Sequence, residues 1–136
     1  MKMFEVSTGI KPFGIENSEE AVKIAKQSGL NVYQGFIENS NYLIPNSPYD
    51  GFFIMNFLEH IPNLKEFLRG IYNNLENDAV GIVEVPNYNM MLENGLYAEF
   101  IKDHLSYFTK DTLKLVLENC GFQVESCEII WNNYII

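Results

Sequence analysis

Tyr49–Pro62, YDGFFIMNFLEHIP, decides the reading of this chain. Pro48, Tyr49, Asp50 and Gly51 form a turn signal, and Phe52, Phe53, Ile54 and Met55 then run apolar without a break. So short a run, bounded by turn residues and rich in aromatics, predicts a strand buried on both faces. Such strands belong to parallel sheets covered by helices. Asn56, Glu59 and His60 follow at once, and Pro62 closes the segment. Ligands of open α/β sheets bind outside the carboxyl ends of the strands. Chemistry is therefore expected first at the end of this strand.

Outward from that strand, helical and extended patterns alternate. Upstream, Phe13-Gly14-Ile15 ends on Glu16 and reads as a strand. Asn17 or Ser18 can cap the next helix, and Glu19 and Glu20 in its first turn suit the helix dipole. Ala21, Val22, Ile24 and Ala25 supply its apolar stripe, and Gly29 ends it. Leu30–Gln34 reads as a second strand, and residues 36–42 as loop. Downstream, Leu64, Phe67, Leu68, Ile71, Tyr72 and Leu75 recur at helical spacing, with Asn63 as cap. Glu76-Asn77-Asp78 turns the chain into a buried strand, Ala79–Val85. Residues 88–101 read as a lid-like segment with some helix, and residues 102–108 as extended. A helix capped at Thr109 runs to Asn119. Phe122–Ile130 is expected as a strand, and Trp131–Ile136 as the start of another. The order predicts one α/β domain over residues 1–136 with a largely parallel sheet and flanking helices.

Bulk composition excludes several classes. The 136 residues suffice for one domain, and a hydrophobic content of 47% argues against disorder. A formal net charge of -9 argues against duplex DNA or an anionic membrane surface as partner, and no Lys/Arg cluster is visible. Cys120 and Cys127 have no metal-type spacing and read as reduced thiols. No apolar run is long enough to span a membrane, and residues 1–4 lack a signal-peptide core. A cytoplasmic location is the default expectation. No HExxH, no paired Cys spacing and no acids clustered around the histidines are legible, so no metal set is expected.

With these residues placed, the chain resembles the class I S-adenosyl-L-methionine-dependent methyltransferases. It is most similar to the small methyltransferases whose fourth strand ends in Leu-Glu-His, here Leu58-Glu59-His60 after Tyr49-Asp50. Gly14-Ile15-Glu16, Glu84-Val85-Pro86-Asn87, His104-Leu105-Ser106-Tyr107-Phe108-Thr109 and Gly121-Phe122 match in order. The resemblance implies a Rossmann-like methyltransferase fold. It also implies that the first strand and its glycine-rich loop are missing here, because the chain starts almost at the family's second strand. A bare sheet edge is then expected, inviting homodimerisation or strand exchange.

The resemblance implies a role for each candidate residue, and each has a plainer alternative. Glu16, with Asn17 beside it, would accept hydrogen bonds from the ribose hydroxyls; otherwise it is a helix-start acid. An acid at this place also occurs in nicotinamide-binding folds, so Glu16 alone does not choose the cofactor. Phe36 and Ile37 would pack on the adenine, or are core. Asn56 and Phe57 would border the methionine part of the cofactor; otherwise Asn56 is a turn residue. His60 and His104 are candidate general bases, since imidazole titrates near neutrality. The rival reading of His60 is a structural histidine bonded to backbone, and that of the His104 segment is packing. The function implied is methyl transfer to a small-molecule acceptor. The alternative is a catalytically inactive methyltransferase-like fragment serving dimerisation or partner binding.

Overall fold

A computed structural model describes residue 5 and residues 7–136. The readings at residues 1–4 and 6 lie outside the described residues. The chain divides into two compact units, Met1–Ile37 and Glu38–Ile136.

The first unit is built on a β–α–β crossover: β1 (Gly14–Glu16), α1 (Glu19–Gln27) and β2 (Val32–Gln34). The strands pair in parallel, from Gly14 opposite Val32 to Glu16 opposite Gln34. Ser18, not Asn17, caps α1, its hydroxyl accepting from the Ala21 N–H at 3.2 Å. Val22 is buried, whereas Ile24 lies off the buried stripe and is exposed. Gly29 ends the helix at φ +73°, a left-handed conformation glycine adopts without a Cβ clash. The Leu30 N–H then folds back to the Ala25 carbonyl at 3.0 Å.

The second unit holds β3 (Tyr49–Met55), a 3-10 turn (Leu58–His60), α2 (Leu64–Tyr72), β4 (Leu75–Glu84), α3 (Tyr88–Glu93), a second 3-10 turn (Tyr97–Glu99) and α4 (Lys110–Asn119). Asn63 caps α2, and Thr109 with Thr112 forms a capping box on α4. β3 and β4 pair in parallel from Gly51 opposite Val80 to Met55 opposite Glu84. Tyr49 pairs with Leu75, so residues 76–79 are looped out against Asp50 alone. The turn expected at Glu76-Asn77-Asp78 is therefore present as an irregularity inside β4. Helix α2 stops at Tyr72, short of Leu75, because the Asn74 side chain takes the Gly70 carbonyl at 2.7 Å. Leu58, Leu68, Met91 and Val85 are the largest fully buried apolar side chains.

Each unit holds one parallel pair, β1–β2 in the first and β3–β4 in the second, as the alternation of strands and helices predicts. Two expectations are corrected. First, β3 is not buried on both faces. Ile54 is buried, but Phe53, Met55, Val80 and Ile82 are 55%, 50%, 76% and 55% exposed. Side chains alternate along a strand, so these four share one face. The opposite face carries Phe52, whose ring meets Phe122 at 5.3 Å, and Phe122 meets Tyr72 of α2 at 5.4 Å. Aromatic packing thus covers that side. Second, Phe122–Ile130 forms no strand among the described residues; Ile130 alone bridges, antiparallel, to Ile135. Trp131, Asn132 and Asn133 all take positive φ (51°, 55°, 69°), a left-handed reversal that brings the tail back. Ile136 then exchanges two backbone hydrogen bonds with Val85, just past β4.

The β3–β4 register carries one prediction. A Cβ at Gly51 would stand 2.6 Å from the Val80 carbonyl oxygen, a backbone atom that cannot swing aside. Gly51→Ala should force the strands apart and cost about 1–3 kcal/mol, the usual range for overpacking, read as a lower urea midpoint.

Candidate functional site

In the first unit the carboxyl end of β1 presents Glu16, which is exposed. One carboxylate oxygen accepts the Ser18 N–H at 2.7 Å, and the Glu16 carbonyl accepts the Gly35 N–H at 3.0 Å. A carboxylate has about four acceptor positions, so the other oxygen can still take hydroxyl groups. Glu16 thus caps its own turn with one oxygen. Asn17 is exposed, and its carbonyl receives Gln34 Nε2 at 3.4 Å. Phe36 is half-buried and Ile37 buried, just beyond the end of β2. All four therefore lie at the carboxyl ends of the β1–β2 pair.

In the second unit, β3 runs into Asn56, which has φ +46°. Its backbone N–H donates to the Glu84 carbonyl at 2.9 Å, and its Nδ2 donates to the Glu84 carboxylate at 2.7 Å. Asn56 thereby ties the ends of β3 and β4 together, so its turn role is real. Phe57 is 43% exposed, and its ring packs against Phe67 at 6.1 Å.

The 3-10 turn Leu58–His60 follows, with Leu58 and Glu59 buried. Two N–H groups, of Leu105 and Ser106, donate to the Glu59 carbonyl at 2.8 and 3.1 Å. The Asp103 carbonyl lies 2.8 Å from His60 Nδ1. These bonds stitch residues 103–106 to the turn and set the His104 ring 4.8 Å from the His60 ring, edge to face. Tyr107 stands 5.9 Å from His104. Because a carbonyl only accepts, His60 Nδ1 donates in this bond. Its Nε2 stands 3.8 Å from the Glu59 carboxylate. His60 is thus bonded to backbone on one side and faces an acid on the other. His60, 35% exposed along its side chain, is reachable from solvent, whereas Glu59 at 3% is not.

Glu59 is the member that sequence reasoning missed. It was legible only as part of a motif, and no acid was expected to cluster with the histidines. Its signal was its place beside His60 on a turn after a buried strand. Farther along, Tyr134 donates its hydroxyl to Glu99 at 3.0 Å, holding the second 3-10 turn. Burial, then the Glu99 carboxylate, pushes this phenol above its ordinary range. Cys120 and Cys127 are free thiols, and burial raises both. A depression of about 320 Å³ lined by Asp50, Glu76, Asn77, Asp78 and Ala79 lies at the amino end of β3, opposite the histidines. No helix of the described residues is long and apolar enough to cross a membrane.

Several known proteins are similar to this chain. A family profile described as a methyltransferase domain matches residues 4–127. The C-methyltransferase NovU of Streptomyces niveus is 34% identical over 65 residues, which is 48% of this chain and 16% of that protein. A SAM-dependent methyltransferase from Archaeoglobus fulgidus superposes with a TM-score of 0.70 at 27% identity, over 90% of this chain and 55% of its own. A SAM-dependent methyltransferase from Thermotoga maritima gives the same TM-score at 19% identity, over 90% of this chain and 59% of its own. At that identity the second likeness speaks for the fold alone. The chain thus spans little more than half the length of these solved structures and about a sixth of the curated relative. With a profile match over residues 4–127, the chain belongs to the methyltransferase-domain family and has its Rossmann-like fold.

Proposed function

We propose that the chain acts as an S-adenosylmethionine-dependent methyltransferase on a small-molecule acceptor. The observation that carries this reading is the meeting of His60 and His104 at the carboxyl end of β3, where open α/β sheets bind ligands. S-adenosylmethionine, when bound, supplies an electrophilic methyl group on a sulfonium. Glu16, with Asn17 beside it, would accept from the ribose hydroxyls, and Phe36 and Ile37 just beyond β2 would offer apolar surface to the adenine. His60, its Nδ1–H held by Asp103, keeps Nε2 free to take a proton from an O or N acceptor. His104 shares that task, and the rest of the rate comes from holding the acceptor in line.

The test is transfer of labelled methyl from S-adenosylmethionine to a panel of phenols, amines and carbon acids, with binding followed by calorimetry. Transfer to a panel member is expected, reduced about 10²-fold or more in His104→Ala if its proton transfer contributes as general bases usually do. Absence of cofactor binding would sink the reading.

The open β3–β4 face favours a second reading, an inactive methyltransferase-like chain that dimerises through Phe53, Met55, Val80 and Ile82. It expects a concentration-dependent dimer in light scattering together with no cofactor binding.

A further inference from the structure

We infer that Glu59, His60 and His104 form a binding site for a divalent first-row transition-metal ion of the zinc type. Among the described residues these three bring one ligand atom each within 4.8 Å of one another. Two imidazoles and one carboxylate are a donor set that suits zinc and its neighbours and leaves a coordination position open.

The case rests on the state of the donor atoms more than on their number. Glu59 is 2% exposed, yet its Oε2 has no hydrogen-bond partner among the described residues. Its Oε1 faces His60 Nε2 at 3.8 Å, too far for a hydrogen bond. The buried Nδ1 of His104 also has no partner among the described residues. A buried carboxylate is tolerated when it is paired or binds a cation, and a buried polar atom when it is bonded. A single cation among these three side chains satisfies all of them.

The surroundings supply what metal ligands ordinarily have. His60 donates its other ring N–H to the Asp103 carbonyl at 2.8 Å, the support that leaves Nε2 free to ligate. The Glu59 carbonyl, bonded by the Leu105 and Ser106 N–H groups, holds the His104 segment against the turn. Ligand atoms in a tetrahedral site with bonds of 2.0–2.1 Å stand about 3.3 Å apart. The widest present spacing therefore has to contract by about 1.5 Å, which side-chain rotation provides while the backbone stays in place. A cation here takes the lone pairs that the imidazoles otherwise offer to an acceptor's proton. It adds a Lewis acid at the carboxyl end of β3.

The full chain, stripped with chelator, would be titrated with Zn²⁺ and then Mn²⁺ by calorimetry, with no methyl donor present. The result thus stands apart from whether the chain transfers methyl groups. One equivalent of Zn²⁺ should bind, and Glu59→Gln and His104→Ala should each weaken it at least about tenfold, since even outer-shell partners of metal ligands cost that much. X-ray absorption on the zinc-loaded wild type should show two imidazole nitrogens, oxygen and no sulfur. That measurement decides alone should either variant fail to fold. Absence of one-equivalent binding, affinity unchanged in both variants, or sulfur in the shell would overturn the assignment.

Discussion

Asn74→Leu should destabilise the second unit by about 4 kcal/mol, because it takes a partner from two buried polar groups and one half-buried one, at roughly 1–3 kcal/mol each before relaxation. Asn74 is 1% exposed. Its Oδ1 accepts the Ile44 N–H at 2.8 Å, and its Nδ2 donates to the Tyr42 and Gly70 carbonyls, each at 2.7 Å. One side chain thus caps α2 and fastens the loop that leads to β3. Leucine has the same branched heavy-atom skeleton, so no cavity confuses the result; what is lost is polar pairing. The backbone bonds of residue 74, to the Ile71 carbonyl and from the Tyr49 N–H, survive the change. A urea melt reads the effect as a shifted midpoint. The neighbouring Asn73, exposed and bonded through its Nδ2 to the Ser40 carbonyl at 2.8 Å, is the control. Asn73→Ala should cost no more than about 1 kcal/mol. Equal losses in the two variants would show that burial of the Asn74 amide does not control stability.

The second large effect concerns the cofactor. Glu16→Ala should weaken S-adenosylmethionine by on the order of 100-fold. Hydrogen bonds to a charged group contribute about 1.5–3 kcal/mol each, and a factor of ten is about 1.4 kcal/mol. The variant also removes the acceptor of the Ser18 N–H. Glu16→Gln separates the two roles. Its amide oxygen can still receive the Ser18 N–H, while its NH₂ cannot accept a ribose hydroxyl. Glutamine should therefore keep the α1 start intact, seen as an unchanged melting temperature, and still weaken binding about tenfold or more. Binding unaffected in both variants would assign Glu16 to the helix start alone. Binding lost in alanine but kept in glutamine would assign its effect to the local turn.

Much of the candidate site was legible because its signals are short-range. Glu16 ends β1 and His60 ends the turn after β3, where each was expected. Asn17, Phe36 and Ile37 were placed correctly at strand ends, though Ser18 took the capping role. Asn56 joined the site end of β3 but proved to be bonded to Glu84, a partner 28 residues away. The metal-type group was not legible at all, since Glu59 and His60 meet His104 only through the bonds to residues 103–106.

What the chain's sequence settled by itself were features governed within about four residues. The caps at Ser18, Asn63 and Thr109 are of this kind, each side chain reaching the third N–H beyond it, as is the helix stop at Gly29. Tertiary structure alone decided which sides of those elements are covered. Phe52, Phe53, Ile54 and Met55 are equally apolar in sequence, yet packing onto Phe122 and α2 covers one face and leaves Phe53 and Met55 exposed. Phe122–Ile130 has strand-like residues, but a ladder needs a neighbour, and the reversal at residues 131–133 supplies Ile130 with only Ile135. Glu59 shows the same division. Its place after a buried strand is a local fact, but its burial beside two histidines depends on a segment 43 residues downstream of His60 folding back onto the turn. Local geometry follows from neighbouring torsions and hydrogen bonds, whereas burial depends on which distant surface closes over a residue.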